Sequence, residues 1–350
     1  MYFHNRFAIF LAFFTVIFLV LSGTYAQHQT RTFEWDGVSQ VTAVGDVHGD
    51  FDALVKILIA EGLIDQKYHW TGKDRHLVML GDLVAGGDRS KDVIELIISL
   101  ETQSQKSGGR VHALLGNHDL LVASGDLDSM SKKERQAFVD ESVTKPKDVN
   151  QKLTEMFLGD GRYSNWMASR PIMLRINEQL FVHAGIDDRI SGISMTQINR
   201  IATEWILFFQ GRRKQPDPKT GWVVGFRNGK FRYNEGLAFS RDFKITREVR
   251  RQDDRAPRGA IKRKQLHELL AEFGARKMVI GHVPTPENKI KLKHPYYHQL
   301  VVSVDTQISD RRQGRLSSLD IQNDDLQKRY FDRTEGRVPS VNSCRSALMD

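Results

Sequence analysis

Five times along this 350-residue chain a short apolar, β-rich run ends in a polar tip marked by glycine. The tips are Gly45-Asp46-Val47-His48-Gly49-Asp50, Gly81-Asp82, Gly116-Asn117-His118-Asp119, Val182-His183-Ala184-Gly185 and Gly281-His282-Val283-Pro284. Glycine lets the backbone turn sharply and leaves room for an ion or a phosphate to approach. Loops at strand ends are where α/β proteins place ligands and catalysts. One such tip alone reads as an ordinary polar loop or helix cap; five in order constrain the fold. The runs before them, Gln40–Val44, His76–Leu80, Val111–Leu115, Leu180–Val182 and Lys277–Ile280, read as strands. A sixth strand is expected at Gln299–Val304, and a last one, Arg315–Ile321, pairing back onto 299–304. Helices follow at Phe51–Ala60 and Ser90–Glu101, the second with Val93, Ile94, Ile97 and Ile98 at helical spacing. Asn177-Glu178 reads as a hairpin turn between Ile172–Ile176 and Leu180–Val182.

Asp46 and His48 stand at i, i+2, a spacing that points both side chains the same way on an extended segment leaving a strand. Together with Asp82, Asn117, His183 and His282 they make a mixed oxygen and imidazole donor set. Such a set suits manganese, iron, zinc or nickel rather than calcium, which prefers all oxygen. The single cysteine, Cys344, excludes a thiolate-rich site and an internal disulfide framework. Six side chains with one shareable carboxylate suffice for two ions about 3.5–4 Å apart. That arrangement clamps the attacking and leaving oxygens of an in-line displacement at phosphorus.

With 40% hydrophobic and 27% charged residues the chain can bury a sizeable core, which excludes a wholly disordered, collagen-like or coiled-coil molecule. Two stretches interrupt the strand-and-tip rhythm. Residues 124–170 are polar and helical in pattern (Lys132–Val139, Val149–Phe157). Residues 190–275 hold an amphipathic helix, Met195–Phe209, with Trp205, Phe208 and Phe209 as lid core, followed by a Gly/Arg-rich segment. Both read as helical lid insertions in one layered α/β domain. Residues 1–26 read as a secretory signal: Arg6 leads an apolar run from Phe7 to Leu21, and small residues precede a cut before Gln27. The run is shorter than the ~20 residues of a spanning helix. The mature chain is therefore expected to be exported, periplasmic or secreted, with no stable membrane anchor after cleavage. Net charge is +8, yet residues 244–264 alone hold nine Lys/Arg against three Asp/Glu. This basic flap lacks interleaved aromatics, so no nucleic-acid partner is expected. His294 and His298, in His294-Pro295-Tyr296-Tyr297-His298, read as a turn rather than a metal site.

The order GDxHG, GD, GNH(E/D), H, GH resembles that of the calcineurin-like metallophosphoesterases, in their phosphoprotein phosphatase branch. The stretches Gly109–Leu115, Ser124–Leu127 and Gly314–Leu316 bring it close to the bacterial Shewanella-like phosphatases. The resemblance covers roughly residues 40–322. It implies a layered α/β fold with central mixed β-sheets flanked by helices, spanning 27–335 and followed by a tail, 336–350. It implies that Asp46, His48 and Asp82 hold a first divalent metal, and that Asp82 bridges to a second completed by Asn117, His183 and His282. Manganese is the first expectation for both. It makes His118 the group that protonates the leaving-group oxygen or stabilises its charge, work suited to a histidine near neutral pKa. A metal-bridging hydroxide would attack directly, without a covalent enzyme intermediate. The substrates implied are phosphate monoesters, on Ser/Thr or Tyr of phosphoproteins or phosphopeptides. The alternatives are a phosphodiesterase or dinucleoside-polyphosphate hydrolase, or a weakly active metal-binding interaction protein.

The chain departs from that pattern in one place. After Gly-Asp the family usually continues V-D-R-G, whereas here Leu83-Val84-Ala85-Gly86-Gly87-Asp88-Arg89 follows. Ala85 stands where a carboxylate normally orients the acid histidine, and Gly86 where an arginine normally grips the phosphate. A second phosphate arginine, in Y-R-G, finds its nearest match in Tyr233-Asn234-Glu235-Gly236, without arginine. A bidentate arginine–phosphate pair is a strong, oriented interaction. Arg89, Arg232 and Arg241 are the candidates to replace it; the other explanation is a substrate that needs less clamping.

Overall fold

The structure is a computed structural model and describes residues 32–246 and 260–333. The secretory signal, the centre of the basic flap and the C-terminal tail lie outside the described residues. In chain order the strands are β1 (Glu34–Trp35), β2 (Gln40–Val44), β3 (His76–Met79), β4 (Arg110–Ala113), β5 (Met173–Ile176) and β6 (Gln179–Val182). There follow β7 (Phe226–Arg227), β8 (Lys230–Phe231), β9 (Lys277–Ile280), β10 (Val301–Ser303), β11 (Leu316–Gln322) and β12 (Asp325–Phe331). The helices are α1 (Phe51–Ala60), α2 (Ser90–Lys106), α3 (Asn117–Ala123), α4 (Lys132–Ala137), α5 (Pro146–Phe157), α6 (Arg162–Ala168), α7 (Met195–Phe209), α8 (Gly236–Phe239) and α9 (Arg263–Glu272).

Two mixed five-stranded sheets, ordered β1-β5-β6-β9-β10 and β12-β11-β2-β3-β4, carry the molecule. Period-two alternation decides how they stack. Val41, Ala43, Val78, Leu80, Leu114, Leu319 and Ile321 of one sheet form a buried cluster with Leu174, Ile176, Phe181, Val279, Val302 and Val304 of the other. The intervening residues Val44, Leu77, Met79 and Ala113 belong to a second cluster with Leu54 and Ile57 of α1 and Val93 and Ile97 of α2. Buried on both faces, β3 is apolar throughout except for His76, as parallel inner strands are. The strands β2–β3–β4 run parallel, as do β6–β9–β10. All five polar tips therefore leave carboxyl ends of strands, where open α/β sheets bind ligands.

One expected pairing is wrong. The strand near 315–321 does not pair with 299–304; β11 lies antiparallel to β2, with Leu319 opposite Ala43, and to β12 on its other side. Alternation marks a strand but not its neighbour, and Leu319 and Ile321 are needed to continue the sandwich face beside β2. The chain thus crosses from one sheet to the other between β10 and β11. The edge strand β12 was not expected, because its sequence is mostly polar and exposed. Its signal is the turn: Asn323 and Asp324 both take positive φ (48° and 65°), as a two-residue hairpin turn of the tight primed type requires.

The first interrupting stretch folds as α4, α5 and α6. α4 opens with a capping box in which Ser131 accepts from the Glu134 backbone and Glu134 from that of Ser131. In the second, α7 spans the expected residues, and Trp205, Phe209, Phe226 and Phe231 form a chain of ring contacts with centroids 5.0–5.7 Å apart. His294 and His298 pair through their backbones across a turn, with His294 Nδ1 accepting from Tyr296 and Tyr297.

Candidate metal centre

The six donors expected from the sequence converge at the carboxyl edge of both sheets. Asp46 and His48 follow β2, Asp82 follows β3, and Asn117 opens α3 after β4. His183 follows β6 and His282 follows β9. Three of the six, His48, Asp82 and His282, sit at positive φ (47°, 50° and 61°), an unfavourable backbone for residues with a Cβ that persists where the surroundings enforce it. The backbones approach so closely that a Cβ on Gly116 would overlap Asp82.

Asp82 is the hub. One group of donor atoms within 4.8 Å of one another comes from His48, Asp82 and His118; another comes from Asp82, His183 and His282. His48 Nε2 lies 3.7 Å from Asp82 Oδ2 and 4.0 Å from Asp46 Oδ2. On the other side His183 Nε2 lies 3.4 Å from Asp82 Oδ1 and 3.2 Å from Asn117 Oδ1. Asp46 accepts the backbone N–H of His282 on both oxygens at 3.1 Å, which ties the two sheets together.

Backbone carbonyls aim the imidazoles. His48 Nδ1 donates to Ala85 O (2.9 Å) and His183 Nδ1 to Leu80 O (2.7 Å), so each presents Nε2 to the centre. His282 Nε2 is buried without a hydrogen-bond partner among the described residues. Burial drives His48 down to about 4 and His282 to about 3, keeping both neutral and able to coordinate. Burial also raises Asp46 well above the carboxylate range, helped by the charge of Asp305. Asp82 goes the other way: burial raises it, but His183, His118 and His48 together bring it well below its ordinary value. His183 rises to about 10, since the charges of Asp82 and Asp46 overcome its burial. Buried carboxylates this close demand positive charge. An orphaned buried imidazole and carbonyl-oriented nitrogens fit a site for divalent cations.

His118 does not stand apart from the donors. Its ring meets that of His48 edge to face at 5.0 Å, its backbone N–H donates to Asp82 Oδ1 (2.9 Å), and its buried Nδ1 has no partner among the described residues. No carboxylate orients it. The Ala85 segment receives one nonetheless: Glu134, fully buried on α4, accepts from the backbone N–H of Ala85 (2.8 Å) and Gly86 (3.3 Å) and from Ser90 Oγ. This carboxylate holds the loop rather than the histidine.

The three candidate arginines lie apart. Arg89 is engaged by Asp52 (2.5 Å) and Asp92 (2.7 Å) and stacks on Phe51, so it turns away from the cluster. Arg232 leads into α8, with its backbone N–H on Gly225 O and its Nε buried and unpartnered among the described residues. Only Arg241 reaches the centre electrically; after burial and His183, its charge contributes to the low value of His282. Two carboxylates were missed by the sequence reading. Asp119, pushed up to about 7 by burial, accepts from Gly116 and Leu83 N–H and locks two tips to each other. Asp305 follows β10, is fully buried and is pushed up to about 6. The strand-tip logic that found Asp46, applied to the sixth strand, points to Asp305.

Two mixed sheets stacked face to face, with a buried Asp/His/Asn cluster at their tips, define a metal-dependent phosphoesterase scaffold. A profile of the calcineurin-like phosphoesterases matches residues 39–291, and the chain belongs to that family. Shewanella-like protein phosphatase 1 of Plasmodium berghei is 28% identical over 166 residues, 47% of this chain and 44% of that protein. A symmetrical bis(5'-nucleosyl)-tetraphosphatase of Salmonella paratyphi C is 33% identical over 145 residues, 41% of this chain and 42% of that one. The chain thus spans about half the length of such relatives. The cold-active protein-tyrosine phosphatase of a psychrophilic Shewanella superposes with a TM-score of 0.65 at 21% identity, over 86% of this chain and 83% of that one. At that identity the likeness is one of fold.

Proposed function

We propose that the chain is an exported phosphomonoesterase that uses two divalent cations, manganese first, and acts on phosphorylated proteins or peptides. The observation that carries this reading is Asp82, one carboxylate shared by two converging donor groups. Asp46, His48 and Asp82 would hold one cation; Asp82, Asn117, His183 and His282 the other. Bound there, the pair supplies Lewis-acid polarisation of the phosphoryl group and draws down the pKa of the attacking water. The protein's own work is to fix and discharge. Ala85 and Leu80 carbonyls lock the tautomers of His48 and His183, so each keeps Nε2 free as a donor. Asp119 keeps the Gly81 and Gly116 tips in register. His118 gives its proton to the ester oxygen as the P–O bond to the alcohol breaks and the bond from water forms. Export rests on the sequence pattern of residues 1–26.

A second reading, hydrolysis of a dinucleoside polyphosphate, is favoured by the 33% identity to the Salmonella tetraphosphatase and by the missing arginine at Gly86. The test is turnover by purified, manganese-loaded protein of phosphotyrosine and phosphoserine peptides, p-nitrophenyl phosphate, a bis-aryl phosphodiester and diadenosine tetraphosphate. Monoester turnover that vanishes in Asp82→Ala is the expected result. Activity confined to diadenosine tetraphosphate transfers the assignment to the second reading, and no turnover above Asp82→Ala removes both.

A further inference from the structure

Between β10 and β11 the chain makes a short 3₁₀ turn, Asp310–Arg312, that rests on the first metal-side tip. Asp310 N–H donates to Asp50 Oδ2 (2.6 Å), which also caps α1 through its other oxygen. Arg311 Nη1 donates to Gly86 O (3.3 Å), and Arg333 holds both flanks through Ile308 O and Gly314 O (3.1 Å). The turn is therefore fixed against the segment where no side chain is available. Gly86 takes φ +144°, and a Cβ on Gly87 would come within 2.7 Å of His48 O and 2.6 Å of Gly49 C. An arginine on residues 86–87 would require a different backbone path.

Arg312 is exposed on this turn and, among the described residues, pairs with no carboxylate. It lies close enough to two groups of the centre for its charge to register. Burial is the main reason that His48 falls to about 4, and Arg312 pushes the same way against Asp82. Asp305, raised by burial, is drawn down by Gln307 N–H and by Arg312. The other arginines on this rim are occupied: Arg89 by two aspartates, Arg311 by Gly86, Arg333 by two carbonyls. The bland alternative is that Arg312 offsets the negative charge of the aspartates. Two divalent cations would remove that need, leaving a free planar fork whose chemistry matches a tetrahedral oxyanion.

We propose that Arg312 is a phosphate-binding residue, gripping the non-bridging oxygens of the substrate phosphate from the His48 side while Arg311 braces its turn against Gly86. Arg241, beside His282, faces the same phosphate from the opposite flank. The assignment rests on the phosphate-ester reading of the site and deepens it.

The test measures inorganic phosphate binding to manganese-loaded protein by calorimetry, beside KM for p-nitrophenyl phosphate and metal content. Arg312→Ala is expected to weaken phosphate about tenfold and to raise KM by a similar factor, with metal content unchanged. Arg312→Lys is expected to recover only part of the loss, because a point charge replaces a fork. Arg276→Ala, which removes the same charge at the amino-terminal end of β9, is the control for bulk electrostatics. Phosphate affinity of Arg312→Ala within twofold of wild type, or no better than that of Arg276→Ala, overturns the assignment and leaves the esterase reading intact. Wild-type protein that binds phosphate through Arg312 but turns over no ester removes the esterase reading and keeps the assignment. Loaded wild type without phosphate binding overturns the assignment.

Discussion

His118 neighbours the donor Asn117 and points its unpartnered Nδ1 into the same buried space as His48 and Asp82. By distance alone it is as good a donor as its neighbours; what separates the two roles is what its removal does. As an acid it supplies a proton only as the ester bond breaks, a contribution of about 10²–10⁴ in rate. His118→Asn is accordingly expected to lower kcat for p-nitrophenyl phosphate about 100-fold or more while each chain keeps both metals. Metal analysis decides: loss of one metal on substitution makes His118 a ligand and moves the acid elsewhere. The six donors were legible in the sequence because each follows its own strand within two residues, so local spacing implied convergence. Glu134 and Arg312 were not legible, since each reaches the Ala85–Gly87 loop from far along the chain, 49 and 225 residues away in the backbone contacts made by Glu134 and by Arg311 beside Arg312. No local pattern marks such a visitor.

At the scale of elements, β3 and β4 carry a buried pair away from the metal centre. His112 Nε2 lies 3.1 Å from His76 Nδ1, and Trp35 of β1 meets both rings edge-on. Burial, with help from Arg110, pushes His76 down to about 4; burial and the neighbouring His76 push His112 well below its ordinary value. Asp74 opposes this at His76, and Arg170 reinforces it at His112. Unfolded histidine titrates near 6.5, so between about pH 6.5 and 4 the unfolded chain binds protons that the folded chain refuses. Stability is then full above about pH 6.5 and falls as the pH drops, by about 2 kcal/mol per histidine at pH 4.5. Buried carboxylates such as Asp119, pushed up to about 7, act in the opposite direction, so the variant must isolate the pair. In urea titrations with chelator present, His76→Gln is expected to lose less stability than wild type between pH 7.5 and 4.5, by about 2 kcal/mol. Parallel losses in the two proteins would sink this account. The same strands show what pattern reading conveys about elements. Alternation and tips located β2, β3 and β4, whereas the partner of β11 depended on which sheet still had an apolar face to cover.

Across the whole molecule, the site is also a clasp. Asp46, His48, Asp82 and Asn117 come from one sheet, His183, His282 and Asp305 from the other, and the direct bond between them is the His282 N–H on Asp46. Cations that bind only the folded arrangement stabilise it by mass action, about 4 kcal/mol for each at a thousandfold excess over its dissociation constant. Without them the fold carries the mutual repulsion of buried Asp46, Asp82 and Asp305. Stripping the metal with chelator is thus expected to lower Tm on the order of 10 °C, and manganese to restore it. Asp305→Asn separates the two contributions. The amide oxygen can still accept from Gln307 N–H, now 2.8 Å from Oδ1, while the nitrogen replaces the unpartnered Oδ2 with a donor beside Asp46. Metal-free Asp305→Asn should therefore melt several degrees above metal-free wild type and gain less on manganese addition. A wild-type Tm that stays within 2 °C after complete metal removal contradicts the clasp. A metal-free Asp305→Asn that melts lower than wild type shows that Asp305 is held in place for packing rather than endured for the sake of the cations.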